Sequence, residues 1–203
     1  MTTIRFLALG DSYTIGTSVE EAERWPLQLA ERLRADSIPV ELTIIAHDGW
    51  TTDELRQGIR EQAPQPPYDM VSLLIGVNNQ YRGYDIEQYR RQFANLLSEA
   101  IEYANGDPTR VFVLSIPDWG VTPYASEHDR DRDQVAQEID AFNAVNREET
   151  LKAGARYVDI TPVSRQAAND ASLLAADGLH PSGKMYALWV ELAYPIVLNI
   201  LGR

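Results

Sequence analysis

The 203-residue sequence contains no cysteine, which excludes disulfides, thiolate metal ligands and a cysteine nucleophile together. With three histidines and no cysteine, the composition also disfavours a zinc site. No apolar run approaches the roughly 18 residues of a membrane-spanning helix, and the apolar run around Arg5 is too short for a signal peptide. We therefore expect a cytoplasmic protein with no membrane span, unless a leader has been removed.

Positive charge is scarce as well. The chain has 18 lysines and arginines against 30 aspartates and glutamates, so its formal net charge is −12. A field of that sign opposes polyanions and anionic lipid surfaces. A nucleic-acid partner is not expected.

The pattern that is present alternates between short apolar runs and longer segments with helical periodicity. Such alternation predicts one α/β domain over residues 1–203, a three-layer α/β/α sandwich around a five-stranded parallel sheet. The predicted strands are Ile4–Leu9, Val40–Ala46, Met70–Ile75, Val111–Ile116 and Arg156–Ile160. Helical spacing is clearest in Trp25–Ala35, Asp85–Tyr103, Val135–Val145 and Gly183–Leu201, the last being apolar nearly all round and therefore expected to be well buried.

Glycines and polar residues follow the predicted strands. They occupy residues 10–12, 47–52, 76–80 and 117–120 after the first four strands, and residues 177–182 beyond the fifth. Ligands of open α/β sheets bind at the carboxyl ends of the strands. These segments are therefore predicted to gather at one edge of the sheet and to form the functional site there.

The residue types at this edge are those that acyl transfer requires. Ser12 can act as a nucleophile, His180 as its base, and Asp177 as the carboxylate that orients the imidazole. The developing oxyanion needs hydrogen-bond donors. The backbone N–H groups of Ser12 and Gly49 and the side-chain amide of Asn78 are the candidates for an oxyanion hole.

These residues resemble the four sequence blocks of the GDSL, or SGNH, hydrolase superfamily, in the order in which that family has them. Residues 10–12 (Gly-Asp-Ser), Gly49, residues 76–78 (Gly-Val-Asn) and residues 177–181 (Asp-Gly-Leu-His-Pro) match. The resemblance implies a flavodoxin-like fold and a cofactor-free serine esterase or acylhydrolase that cleaves a carboxylic ester or thioester through an acyl-enzyme on Ser12.

The sequence departs from the family pattern at two places. Tyr13 and Thr14 follow the serine where the nominal motif has leucine. Asn79 follows Asn78 where family members often have aspartate. The second change removes a carboxylate and bears on the hydrogen bonds of that loop and on substrate preference more than on the reaction type.

The candidate substrate pocket is drawn from residues in or beside the edge loops. Aromatic side chains there either wall an acyl pocket, stack on sugar faces, or pack the loops together. The candidates are Asp11, Tyr13, Trp50, Asn79, Tyr81, Trp119 and Tyr124, with Asp11 expected to hold the turn of the nucleophile. Acetylated sugars, short-chain esters, thioesters and lysophospholipids all remain open as substrates, so the partner is a small-molecule or carbohydrate ester.

Three other stretches of the sequence resemble functional motifs only in part. Residues 178–185 resemble a phosphate-binding loop, but they end in Met185 where Ser or Thr is needed. Residues 129–140 begin like a calcium loop but have Gln134 in place of the required glycine and are interpreted as a charged run before a helix, so no metal is expected. His47 and Asp48 are adjacent and are interpreted as loop or pocket-wall residues.

Two functions besides hydrolysis are compatible with this edge of the sheet. The same site could bind a carbohydrate or nucleotide without turnover, and a flavodoxin-like FMN protein is a weaker third alternative. The complete set of Ser12, Asp177 and His180 favours the hydrolase.

Overall fold

The computed structural model describes residues 2–203 and contains one parallel sheet built from the five apolar runs. The strands are β1 (Ile4–Gly10), β2 (Val40–Ala46), β3 (Met70–Leu74), β4 (Val111–Leu114) and β5 (Arg156–Val158). Their order across the sheet is β2-β1-β3-β4-β5, and each neighbouring pair is parallel. This is the strand order of the flavodoxin-like fold, so the predicted fold class is confirmed.

Helices connect the strands and cover both faces of the sheet. They are α1 (Ser12–Ile15), α2 (Trp25–Ala35), α3 (Thr52–Gln62), α4 (Val77–Tyr81), α5 (Ile86–Tyr103), α6 (Pro123–Glu127), α7 (Arg132–Lys152), α8 (Thr161–Ser164) and α9 (Gly183–Ile200). Helices α2 and α9 pack together on one face, while α3, α5 and α7 form the layer on the other. Among residues 2–203, no helix is both long and apolar enough to span a bilayer.

The core lies on both sides of the central strands. Residues 6–9 of β1 are fully buried, and every residue of β3 and β4 is buried, as expected for strands covered on both faces. Phe6 packs against Trp25 and Phe112, with ring centroids 6.4 and 6.0 Å away. Trp25 and Trp189 are both fully buried, as the helical patterns around them predict.

The element boundaries differ from the predicted ones in a systematic way. Strands β3, β4 and β5 end one or two residues before the apolar runs do, because Ile75, Ile116 and Ile160 are buried core residues in the loops beyond the sheet. Helix α3 was not predicted. Its first turn is closed by a capping box between Thr51 and Glu54, which places the residues after Gly49 on a helix.

The last helix is buried on one face only. Its inward residues include Tyr186 and Trp189, whereas Leu192 is 38% exposed. The expectation that α9 is well buried is therefore correct for one face and wrong for the other.

Candidate active site

An open cleft with about 590 Å³ of empty space lies at the carboxyl ends of the strands, above the point where β1 separates β2 from β3. Four of its lining residues come from the sequence motifs: Ser12, Gly49, Asn78 and His180. Four more are the aromatic residues Tyr13, Tyr81, Trp119 and Tyr124. The others are Asp48, Val77 and Leu179. The structure thus brings together residues from five separate segments of the chain, at the position where ligands bind in folds of this type.

Ser12 is placed at the edge of the cleft by a sharp transition from strand to helix. Strand β1 ends at Gly10, and Asp11 caps α1 by accepting a hydrogen bond from the Tyr13 N–H at 3.0 Å. Ser12 is therefore the first residue of α1. It is only 5% exposed, and within residues 2–203 its backbone N–H has no acceptor.

Asp11 itself faces the interior and does not line the cleft. It is fully buried, and its second carboxyl oxygen has no hydrogen-bond partner among the described residues. Burial raises the pKa of Asp11 to about 8, against the lowering effect of its backbone hydrogen bonds and with a further increase from the charge of Asp48. Burial therefore favours the neutral form of the carboxyl group next to the serine.

His180 and Asp177 form a hydrogen-bonded pair within a non-helical loop. His180 Nδ1 lies 2.6 Å from Asp177 Oδ2, while Asp177 Oδ1 accepts the N–H groups of Leu179 and His180 at 3.0 and 2.9 Å. The ring of Tyr13 packs against the imidazole, with centroids 5.7 Å apart. These contacts determine the position of the imidazole and of its carboxylate partner.

A residue that the sequence did not identify also contacts this carboxylate. Ser18 Oγ donates to Asp177 Oδ2 at 2.6 Å, although the two residues are 159 positions apart. Burial raises the pKa of Asp177, but the hydrogen bonds from Ser18, His180 and the loop N–H groups outweigh it and lower that pKa to about 2. Ser18 adopts φ +67°, a left-handed conformation that non-glycine residues rarely adopt.

Ser12 and His180 line the same cleft, but within the described residues no hydrogen bond joins the serine hydroxyl to the imidazole. In unliganded enzymes such bonds are often long and tighten on substrate binding. The arrangement is one in which a hydroxyl and an imidazole face a common space.

Glycine is required at two positions that shape the other side of the cleft. Gly49 has φ +79°, and within residues 2–203 its N–H has no acceptor. Gly76 has φ +133°, and a Cβ there would lie 2.7 Å from the Tyr89 hydroxyl and 2.8 Å from Ile116. Gly76 therefore allows the chain to turn from β3 into α4.

The two adjacent asparagines of α4 point in different directions. Asn78 lines the cleft and donates one amide hydrogen to the Trp50 carbonyl at 2.9 Å, which leaves the second amide hydrogen available. Asn79 is fully buried outside the cleft wall. Its amide accepts from the Thr52 N–H at 3.1 Å and donates to the Thr52 hydroxyl at 2.8 Å, so it attaches α4 to the start of α3.

Aromatic residues form part of the cleft wall. Tyr81 packs edge-on against Trp119, with ring centroids 5.4 Å apart, and its hydroxyl lies 3.3 Å from that of Tyr124. The Trp119 indole donates to Gln80 at 2.8 Å, which determines the orientation of the ring. This wall offers an apolar surface to whatever the cleft binds.

Trp50, the remaining aromatic candidate, lies outside the cleft wall. Its ring fits against Gly58, where a Cβ would come within 2.1 Å of it, and stacks on His47 at 5.4 Å. Of the seven pocket candidates, the structure therefore places Tyr13, Tyr81, Trp119 and Tyr124 in the wall, and Asp11, Trp50 and Asn79 behind it. Val77 and Leu179 also line the cleft and were not among the predicted pocket residues, although both lie between motif residues.

The two motif-like segments that were set aside have structural partners. Lys184, the lysine of the loop that resembles a phosphate-binding motif, bonds Asp170 at 2.9 Å. Asp131, in the charged run, caps α7 by accepting the N–H groups of Asp133 and Gln134. Across residues 2–203 there is no group of three or more acidic or histidine side chains arranged to hold a metal ion.

A family model described as the GDSL-like lipase/acylhydrolase family matches residues 8–188. No curated protein matches the chain. Among solved structures, the chain is similar to a psychrotrophic esterase, EstA, from Pseudoalteromonas sp., captured with monoethylphosphonate, at 16% identity, a TM-score of 0.75, and coverage of 98% of this chain and 99% of that one.

Two other solved structures are similar over nearly their whole length. A lipase/acylhydrolase from Enterococcus faecalis is 20% identical, with a TM-score of 0.74 and coverage of 98% of this chain and 96% of that one. The acetyl xylan esterase AlAXEase is 16% identical, with a TM-score of 0.75 and coverage of 96% and 100%. At these identities the similarity establishes the shared fold.

Proposed function

The chain belongs to the GDSL-like lipase/acylhydrolase family, which makes it an ester hydrolase, and we propose that it acts as a serine esterase with Ser12 as nucleophile, His180 as base and Asp177 as the orienting carboxylate. The observation that carries this proposal is the 2.6 Å bond between His180 and Asp177 in a loop whose imidazole shares the cleft with Ser12.

Acylation begins when Ser12 Oγ attacks the ester carbonyl carbon and His180 Nε2 takes the hydroxyl proton. Asp177 holds Nδ1 as a donor, so Nε2 is available as the acceptor, and its charge stabilises the imidazolium that forms. The tetrahedral intermediate then collapses. The C–O bond to the alcohol breaks, and His180 returns the proton to the leaving oxygen.

The negative charge of the intermediate is received by donors already present. The N–H groups of Ser12 and Gly49 have no acceptor within residues 2–203, and the amide of Asn78 has one hydrogen to spare. Burial favours the neutral form of Asp11, which limits the negative charge next to this position. Deacylation repeats the sequence with water: His180 takes its proton, the hydroxide attacks the acyl carbon, and Ser12 regains the proton as the acid leaves.

The substrate is a small-molecule or carbohydrate ester. The wall formed by Tyr81, Trp119 and Tyr124 supports this proposal, because aromatic faces accept both acyl chains and the apolar faces of sugars. One structural neighbour is described as an acetyl xylan esterase. A series of p-nitrophenyl esters of increasing acyl length, run beside acetylated xylose oligomers, identifies the preferred class.

Substitution of the serine tests the mechanism. Ser12→Ala is expected to lower kcat by on the order of 10³-fold or more with the fold intact, because the side chain is small and lies at the edge of the core. A fluorophosphonate should label the wild type and not the variant. A protein that binds an ester or sugar but neither hydrolyses it nor is labelled would instead be a binding module. Hydrolysis that persists in Ser12→Ala would contradict the assignment of Ser12 as nucleophile.

A further inference from the structure

The cleft contains one carboxylate that the proposed mechanism does not use. Asp48 precedes Gly49, lines the cleft and accepts a single side-chain hydrogen bond, from the Thr17 hydroxyl to Oδ1 at 3.2 Å. Within residues 2–203 it makes no salt bridge, and its second carboxyl oxygen accepts no hydrogen bond from the protein. The carboxylate is exposed at the mouth of the cleft, within reach of an entering substrate.

Positive charge near the cleft does not cancel this carboxylate. Arg82 approaches from the side of Gly49, but it donates to the Gly49 carbonyl at 2.7 Å and to both carboxyl oxygens of Glu54 at 3.2 Å. Arg130 lies 5.2 Å over the ring centroids of Tyr81 and Trp119. Arg130 belongs to residues 127–133, a segment with four acidic residues and two arginines, so the net charge of the segment is negative.

We propose that Asp48 makes the cleft select esters by charge, so that the substrate carries no negative charge beside the scissile bond. This inference rests on the proposed function and names its substrate class: esters of neutral, hydroxyl-bearing or cationic alcohols. Esters attached to phosphorylated carriers or phospholipid head groups are rejected.

Two physical arguments support this selection. The carboxylate lines the cleft, so a bound anion lies at short range from it and is repelled, and the net charge of −12 adds to the repulsion at long range. The same carboxylate accepts hydrogen bonds from hydroxyl groups, and the aromatic wall attracts cations and sugar faces.

The test uses three phenyl acetates that carry a meta trimethylammonium, hydroxymethyl or carboxylate group. For each substrate, kcat/KM of Asp48→Asn is divided by kcat/KM of the wild type, so the intrinsic reactivity of each ester cancels. Asp48→Asn retains an oxygen acceptor for Thr17. It is expected to raise kcat/KM for the anionic ester roughly fivefold relative to the neutral one, and to lower it for the cationic ester by a similar factor.

Glu41→Gln is the matched control, because it removes one negative charge from β2 near the opposite end of the strand. For each of the three esters, Glu41→Gln should leave kcat/KM relative to the wild type unchanged. If Asp48→Asn also leaves these relative kcat/KM values unchanged, or if both variants change them equally, the inference is wrong. The proposed esterase activity is not contradicted by that result.

A binding measurement separates this inference from the proposed function. Phenyltrimethylammonium should bind the wild-type protein more tightly than benzoate, and Asp48→Asn should narrow the difference. If the protein hydrolyses none of the three esters, the proposed function fails, and this binding order still decides whether Asp48 selects by charge.

Discussion

At the scale of single residues, two neighbouring asparagines have opposite roles although the sequence gives them the same chemistry. Asn78 presents its amide to the cleft and Asn79 is fully buried against Thr52. In the four-block pattern, the position of Asn79 is often an aspartate. Here a neutral amide both donates to and accepts from one threonine, which a carboxylate cannot do.

Asn78→Ala is therefore expected to reduce kcat by about 10²- to 10³-fold with little change in KM, because a hydrogen bond to the oxyanion strengthens only as negative charge develops. Steady-state kinetics with circular dichroism as a check on folding measures this effect. Asn78→Asp should be at least as damaging, since a carboxylate offers no donor and repels the oxyanion.

The matched control is Asn79→Ala. It removes the acceptor of the Thr52 N–H and the donor to the Thr52 hydroxyl, which keeps its bond to Gln92. The variant should therefore lower the free energy of unfolding by about 1–3 kcal/mol and affect kcat much less. Denaturant titration and kinetics on the same preparation separate the two effects. A large loss of kcat in Asn79→Ala combined with a small one in Asn78→Ala would reverse the assignment.

At the scale of elements, the turn that follows α1 connects the segment of Ser12 to both neighbouring loops. Thr17 donates to Asp48 in the loop after β2, and Ser18 donates to Asp177 in the loop before α9. The segment that carries Ser12 is thus attached to the loop of Gly49 and to the loop of His180. Ser18 does not line the cleft, so in the proposed mechanism it acts through Asp177 as a positioning residue.

Ser18→Ala is expected to lower kcat about tenfold with KM nearly unchanged, because the loop that carries His180 loses an attachment to the nucleophile segment. It should also raise the pKa of Asp177 above about 2, since the Ser18 hydroxyl is the strongest of the hydrogen bonds that lower it. A carboxyl ¹³C NMR titration of Asp177 measures this shift, which a purely structural role would not produce.

Ser18→Gly distinguishes the effect of the lost hydroxyl from the effect of backbone conformation. Glycine adopts φ +67° without strain, so this variant should be at least as stable as Ser18→Ala yet show the same loss of kcat. Wild-type kcat in Ser18→Gly would mean that backbone conformation, and not the hydroxyl, is what matters.

At the scale of the whole molecule, the buried carboxyl of Asp11 makes the free energy of unfolding depend on pH. Its pKa of about 8 in the folded protein exceeds the ordinary value of 3.8 that it has when unfolded. Such a group contributes its full stability below about pH 4, where it is protonated in both states. The contribution is lost as the pH rises towards 8, because the unfolded chain releases its proton first.

Asp11→Asn should therefore become more stable relative to the wild type as the pH rises from 5 to 8. The difference in unfolding free energy grows by at most about 1.4 kcal/mol per pH unit. Denaturant titrations at pH 5, 6.5 and 8 measure it. Asp129→Asn, which changes an exposed carboxylate, is the control and should give a constant difference. If the unfolding free energy of Asp11→Asn relative to the wild type stays constant or falls as the pH rises, Asp11 is ionised in the folded protein.

The sequence by itself determined the fold class, the strands and the residues of the four blocks. Hydrophobic periodicity and turn residues are local, so β2 and α2 could be predicted to the residue, and Ser12, Gly49, Asn78 and His180 could be placed at one edge of the sheet. What local patterns cannot specify is which side chains meet after the helices have packed. Two contacts join segments that are far apart in the chain: Ser18 with Asp177, and the buried Asn79 with Thr52. Packing of the helices also decides which aromatic residues line the cleft and which lie behind it. Those were decided by tertiary structure, because the sheet order and the helix layers set the distances between the loops.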